Sequence, residues 1–422
     1  MYSRWNGTAF EDPFMLNPLP MTVAGASWMG PDIVAHGDTI YIVFKQTPED
    51  LGHMWILRSF DAGLTFSDPV RIDTLDGDMS RFPTVTTDES GQPIVAFMKF
   101  NTGFSEARWV ITRSYDFGST FSPDVLASGW SSQSSVVCDC CPGSIVSTDN
   151  TVAMLYRDNK THIRDTWVGL SADGGESFTE GINVDGHNWM IHACPASGPD
   201  GVVIGDTLYS TFMNGASGKV MVYMNRTSLT EPQPSLGSNV TTNNADVFLQ
   251  NFPRIAAYDQ ALGIAWKQVT NGVEQIVIKF TNDVSGELPA IIDTVAENNI
   301  MNVDLAIHDG KIFVVWEDDG SGTVKFRSGT FSTVTSVEDK ASDETISVYP
   351  NPSSGDWTLS GNELKAGLKI EIFNIHGQHV YSQILPGETS NIKIGNPALN
   401  NGIYYLRLSL NDKSHSIKLV KY

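Results

Sequence analysis

All four cysteines of this chain fall in two short segments, Cys138-Asp139-Cys140-Cys141-Pro142 and His192-Ala193-Cys194-Pro195. Thiols at this density form disulfides in an oxidising compartment, here up to two, with three possible pairings. Either a vicinal Cys140–Cys141 bridge forms, or Cys194 bonds one member of the triplet and leaves two over. The alternative is a metal site, in which thiolates and His192 favour copper(I) or zinc, although Cys-x-Cys-Cys matches no standard zinc spacing. The sequence names no other cofactor. Arginines come next: Arg81, Arg157, Arg164 and Arg254 are spread along the chain, and a guanidinium fork matches the two oxygens of a carboxylate. Trp28 and Trp189 stand in similar contexts, Ser27-Trp28-Met29-Gly30 and Asn188-Trp189-Met190-Ile191. Indole rings there either stack on sugars or pack between sheets. Asp139, inside the cysteine segment, is grouped with them as a ligand contact.

Residues so far apart need a scaffold that gathers them. One unit recurs six times: a Pro or Asp opening, a short apolar strand, a turn with Asp, Asn or Gly, and a second strand. Examples are Gly30-Pro31-Asp32-Ile33-Val34 followed by Asp38-Thr39-Ile40-Tyr41-Ile42-Val43-Phe44, and Phe252-Pro253-Arg254-Ile255-Ala256 followed by Leu262-Gly263-Ile264-Ala265-Trp266. The openings stand at 31, 83, 142, 199, 253 and 304, in steps of 52, 59, 57, 54 and 51. Regular steps of this length, filled with alternating short strands, predict a β-propeller of six blades. The stretch before residue 20 is expected to supply the outer strand of the last blade and close the ring. Aligning the second strands, Asn150 on Asp206, sets Cys138 on Cys194. The two cysteine segments should therefore open adjacent blades, at the central mouth where propellers bind ligands.

Three copies carry a sharper turn: Ser59-Phe60-Asp61-Ala62-Gly63-Leu64-Thr65-Phe66, Ser114-Tyr115-Asp116-Phe117-Gly118-Ser119-Thr120-Phe121 and Ser171-Ala172-Asp173-Gly174-Gly175-Glu176-Ser177-Phe178. As a hairpin, Asp61, Asp116 and Asp173 accept backbone N–H groups, glycine takes a left-handed conformation, and phenylalanine plugs the space between blades. The pattern resembles the Asp-box (BNR-repeat) propellers of the sialidase-like superfamily. In that superfamily these turns lie on the rim, away from the active site, so their role here is read as structural. The resemblance implies a carboxylate clamp of three arginines from separate blades, drawn here from Arg81, Arg157 or Arg164, and Arg254, with Asp32 standing in as the acid. The chain departs from the pattern: it has no Arg-Ile-Pro, and its late opening segment, Asn302-Val303-Asp304, lacks a tyrosine. Sialidase activity in its usual form is not expected.

Past a polar linker at 334–343, the chain reads Ile346-Ser347-Val348-Tyr349-Pro350-Asn351-Pro352-Ser353-Ser354-Gly355. Further on come Asn374-Ile375-His376-Gly377, Gly402-Ile403-Tyr404 and the ending Lys418-Leu419-Val420-Lys421-Tyr422. Short alternating strands broken by Gly, Pro and Asn turns predict a small antiparallel sandwich. The Tyr-Pro-Asn-Pro start, the Asn-x-x-Gly turn, the Gly-Ile-Tyr strand and the basic end resemble the C-terminal sorting domain of type IX secretion cargo. The resemblance implies export across the outer membrane, with the secretion machinery as partner through residues 344–422.

Charge agrees with a boundary there. The whole chain carries 27 Lys+Arg and 48 Asp+Glu, a net of -21. Residues 344–422 hold seven basic and six acidic residues, so residues 1–343 hold 20 and 42, a net of -22. Such acidity argues against nucleic acid or an anionic membrane as partner. With 41% hydrophobic residues the chain is not globally disordered, and no run of ~20 apolar residues predicts a membrane-spanning helix. Met1-Tyr2-Ser3-Arg4-Trp5-Asn6 lacks a basic start and apolar run, so no signal peptide is expected in this chain. That points to the cytoplasm, and the C-terminal end contradicts it. The expected protein is all-β: a propeller over 1–333 and a sandwich over 344–422. It is expected to be secreted or surface-displayed, recognising or hydrolysing glycans at the propeller mouth, with a non-catalytic binding module or a cysteine-based metal site as alternatives.

Overall fold

The computed structural model describes residues 1–26, 29–75, 77–103, 105–131, 136–241, 246–332, 346–361, 364–374, 378–395, 399–410 and 413–422. Trp28 and the linker at 334–343 lie outside them. The chain forms two compact units, Met1–Val334 and Thr335–Tyr422. Among the described residues every regular element is a strand, and no helix is long and apolar enough to cross a membrane.

The first unit is a six-bladed β-propeller. Its six sheets are antiparallel meanders, five of four strands and the last of three. Their innermost strands are Asp32–His36, Met79–Thr87, Ser144–Thr148, Asp200–Ile204, Val247–Tyr258 and Ile300–His308, and each packs beside the next. A blade between two neighbours must be apolar on both faces. The strand Pro93–Asn101 shows this, being buried at every position but its last. Tyr41, Val43 and Met54 of blade one fill one inter-blade layer with Val95 and Phe97 of blade two. Trp109 anchors the next layer, against Met154 and Tyr156 of blade three. Each such side chain removed from water contributes roughly 1.5–3 kcal/mol. Blades three and four come so close at their openings that a Cβ on Gly198 would stand 2.1 Å from the Pro142 carbonyl oxygen.

Closure of the ring differs from expectation. The N-terminal segment adds no strand to blade six among the described residues. It folds on itself through isolated bridges, Tyr2 to Phe14 and Trp5 to Phe10. Its rings then span the seam: Trp5 and Phe10 meet Phe326 of blade six edge-on, and Tyr2 meets Phe66 of blade one. Pro13, Pro18 and Pro20 remove the N–H donors a ladder needs, so aromatic packing does the work of a paired strand.

The three Asp-box turns form as expected. Asp61 Oδ1 and Oδ2 accept from Thr65 N (2.9 Å) and Thr65 Oγ1 (2.6 Å), and Asp116 and Asp173 repeat this with Thr120 and Ser177. Gly63, Gly118 and Gly175 have φ of 79°, 78° and 90°. Phe121 and Phe178 enter inter-blade layers, and Phe66 packs between blade one and the N-terminal segment. The second unit packs a three-stranded sheet (Ser347–Tyr349, Trp357–Ser360, Asn391–Ile394) and a four-stranded sheet (His379–Ile384, Lys369–Asn374, Gly402–Leu410, Lys413–Lys421) around Trp357, Leu359, Ile370, Leu406 and Leu419. It is a β-sandwich.

Candidate functional site

In an antiparallel meander, the start of strand one, the loop from strand two to three and the connection to the next blade share one edge. The Asp-box turns occupy the other. The shared edge of blades three and four is built up into a ribbon. Val137 bridges Asp158, Lys160 bridges Ile163, and Ile163 bridges Met190. The ribbon thereby brings together the segment 136–142, the hairpin 158–165 and the segment 187–197.

Buried ionic groups hold this ribbon in place. Asp165 accepts from the backbone N–H groups of Asn188 (3.1 Å) and Trp189 (2.9 Å). Asp185 takes both Asn214 Nδ2 contacts (2.8 and 2.9 Å) and pairs with His187. Arg157 has no exposed surface. Its guanidinium donates to the carbonyl oxygens of Ser197 (3.2 Å), Arg164 (2.5 Å) and Met213 (2.7 Å), and it lies over the Trp189 ring at 5.3 Å. Burial pushes it down to about 10, with Asp185 and Asp165 opposing. Arg157 therefore ties blade three to blade four and is not offered to a ligand. Trp189, 6% exposed, packs inside instead of presenting a ring to sugar.

The four sulfurs converge here as two disulfides, Cys138–Cys141 (Cα–Cα 5.5 Å) and Cys140–Cys194 (6.3 Å). The second expected arrangement occurs, with one addition: Cys194 bonds one member of the triplet, Cys140, and the two left over, Cys138 and Cys141, bond each other; no vicinal bridge forms. A turn explains this, since Cys141 N donates to Cys138 O (3.3 Å) and folds those two sulfurs together, leaving Cys140 to face blade four. The sulfurs of Cys138, Cys140 and Cys141 do lie within 4.8 Å of one another, but as disulfides they offer no thiolates to a metal. His192 packs instead against His162, with ring centroids 4.2 Å apart and planes tilted by 41°.

Arg164 behaves unlike Arg157. It is 8% exposed, yet its Nε and Nη1 have no hydrogen-bond partner. Burial lowers its affinity for its proton, offset by the charges of Asp139 and Asp158. Asp158, also buried, is pushed up to about 6 by desolvation. An unpaired buried donor is rare and calls for an explanation. Arg81 is engaged: it pairs with Glu49 through Nε, donates to Asp139 O (3.1 Å) and lies over Phe82 and Phe100. Asp139 thus supplies its carbonyl to Arg81 and its charge to Arg164.

A second polar set lines the central channel. β-Bulges after Arg81, Asn251 and Met301, with Phe82, Phe252 and Asn302 at φ of 53°, 52° and 29°, re-aim the residues that follow. Asp32 Oδ2 accepts from Thr84 Oγ1 (2.8 Å) and Val85 N (2.9 Å), stapling blade one to two. Asp200 takes Ser144 Oγ (2.9 Å) and Ile255 N (3.0 Å), joining blades three, four and five. Arg254 acts electrostatically on Asp32 and Asp304. Asp304 is open to channel water yet walled by protein, and desolvation pushes it up to about 6 against the pull of Arg254. The arginines named from sequence thus have three different surroundings, and no three-arginine clamp assembles. His162, Asp158, Asp200 and Asp304 were missed. Asp200 and Asp304 stand in register with Asp32 and Arg254, so the repeat alignment held their signal. His162 carried none.

Residues 347–422 match the family described as a secretion system C-terminal sorting domain, which indicates export by type IX secretion to the cell surface or beyond. No curated protein matches the chain. Among solved structures it is similar to a protein of unknown function from Dyadobacter fermentans (11% identity, TM-score 0.43, covering 60% of this chain and 76% of that one). It is also similar to an α-L-arabinanase of Penicillium chrysogenum (12%, 0.45, 72% and 93%) and a sialidase of Streptococcus pneumoniae (10%, 0.47, 74% and 68%). At these values the similarities say nothing about what this chain binds.

Proposed function

We propose that this exported propeller recognises an acidic saccharide at the mouth of blades three and four, with Arg164 as the anchor. The observation that carries the reading is the Arg164 guanidinium, held in a buried setting with two nitrogens unpaired. A ligand carboxylate that displaces the side chains covering these atoms offers an acceptor to one of them, since Nε and Nη1 lie on different edges of the guanidinium, and the low-polarity surroundings strengthen the contact. The packed imidazoles of His162 and His192 lie on the same ribbon. In a unit whose net charge is strongly negative, Arg164 is the guanidinium of this ribbon left without acceptors at two nitrogens, and so the one that suits an anion.

The test is calorimetric titration of the intact chain with sialosides, uronate oligomers and neutral controls. Arg164→Met should abolish binding of the acidic ligand while the melting temperature holds. Equal binding by wild type and R164M sinks the reading. A hydrolytic role draws on Asp304, whose carboxyl is part-protonated near pH 6 and accepts a single backbone bond, from Leu305 N (2.9 Å). Reducing-end release from the same ligands that disappears in Asp304→Asn would favour hydrolysis over binding alone.

A further inference from the structure

The two disulfides differ in access and are close enough to react with each other. Cys194 is exposed and Cys140 half-buried, whereas Cys138 and Cys141 are 0% and 1% exposed. The Cys140 sulfur lies 3.6 Å from the Cys138 sulfur, non-bonded contact for two atoms that belong to different bridges. Charges of both signs lie close by: Arg81 donates to the carbonyl of Asp139, between Cys138 and Cys140, and the Asp139 charge acts on Arg164. The thiolate is the reacting form of a cysteine.

The geometry points to a dithiol-oxidising exchange site: the outer bridge Cys140–Cys194 accepts two electrons from an external dithiol, and the inner bridge Cys138–Cys141 then rearranges by internal exchange. A dithiol's thiolate attacks the exposed Cys194 sulfur, and Cys140 leaves as a thiolate. The second thiol of the reductant resolves this mixed disulfide, forming the oxidised reductant and a Cys194 thiol. The Cys140 thiolate then turns into line with the Cys138–Cys141 bond and attacks the Cys138 sulfur, a Cys138–Cys140 bond forms, and Cys141 departs as a thiolate that takes up a proton. The dithiol loses two electrons and two protons. The protein gains thiols at Cys194 and Cys141, and blades three and four lose their covalent tie. This inference does not rest on saccharide binding and stands or falls separately.

Substoichiometric dithiothreitol on the intact chain, acid quench, N-ethylmaleimide labelling and peptide mapping test it. Labels should appear chiefly on Cys141 and Cys194, with a Cys138–Cys140 peptide recovered. Labels on Cys140 and Cys194 with Cys138–Cys141 intact, or first reduction at Cys138–Cys141, overturn it. Cys194→Ser needs no reductant: its free Cys140 should yield a mixture of Cys138–Cys141 and Cys138–Cys140 linkages in protein whose urea transition remains cooperative. Recovery of Cys138–Cys141 alone in that variant also overturns the proposal.

Discussion

Arg157 and Arg164 stand seven residues apart, both buried, and removing each should have opposite consequences. Arg157→Met strands the carbonyl oxygens of Ser197, Arg164 and Met213 and takes the counter-charge from Asp165 and Asp185. A stranded buried polar group costs about 1–3 kcal/mol, and breaking a buried charge arrangement by removing one partner costs about 3–5 kcal/mol. The contributions overlap, so the larger range is the expected total. Unfolding entropy near ~2.1 cal/mol/K per residue, over the unit Met1–Val334, gives roughly 0.7 kcal/mol/K and a fall in Tm of about 4–7 °C. Arg164→Met removes a guanidinium whose Nε and Nη1 already lack partners, so little hydrogen bonding is lost and Tm should move by about 1 °C or less. Urea unfolding followed by tryptophan fluorescence, with calorimetry for Tm, gives both numbers. If R157M melts within a degree of wild type, or R164M falls as far as R157M, the division of labour between the two arginines is wrong.

Four further outcomes follow from the same geometry. Asp304, raised to about 6 from an unfolded value near ~3.9, contributes stability that is complete below about pH 4 and is lost as pH rises through about 6. Asp304→Asn should therefore raise Tm at pH 7.5 and not at pH 4, by less than the roughly 3 kcal/mol of two pKa units, because channel water screens the charge. Asp61, Asp116 and Asp173 shift the other way, to about 2, chiefly through their bonds to Thr65, Thr120 and Ser177. Their contribution is lost only as pH falls below about 4, so acid titration of Tm should show a rise and then a fall. Peptide mapping without reductant should give Cys138–Cys141 and Cys140–Cys194, and a vicinal Cys140–Cys141 peptide would contradict the fold of that turn. Gly198→Ala, whose Cβ would meet the Pro142 carbonyl at 2.1 Å, should lower Tm and reduce the yield of the Cys140–Cys194 bridge.

Much of the architecture was legible in sequence because it repeats. Openings 51 to 59 residues apart can be counted, and a turn such as Ser59–Phe66 contains its own hydrogen-bonding partners within a few residues. The convergence of the cysteine segments was legible for the same reason, since a shared register makes neighbours of positions one repeat apart. The pairing was not. The alignment set Cys138 on Cys194, but the turn at Cys138–Cys141 joins those two sulfurs and presents Cys140 instead. The N-terminal segment was placed at the correct seam and given the wrong means of attachment, since its three prolines lack the N–H donors a paired strand needs.

The sequence by itself determined the strands, the number of blades, the rim turns and the sorting domain, all features written in local spacing and in residues that act on near neighbours. Only the tertiary structure decided which charged groups are satisfied. Arg157 meets carbonyl oxygens 40 and 56 residues further along, and those acceptors belong to backbone, which carries no mark in the sequence. Arg164, on the returning arm of the same hairpin, has no partner at Nε and Nη1, and that difference between two arginines lies in the fold and not in the residue type.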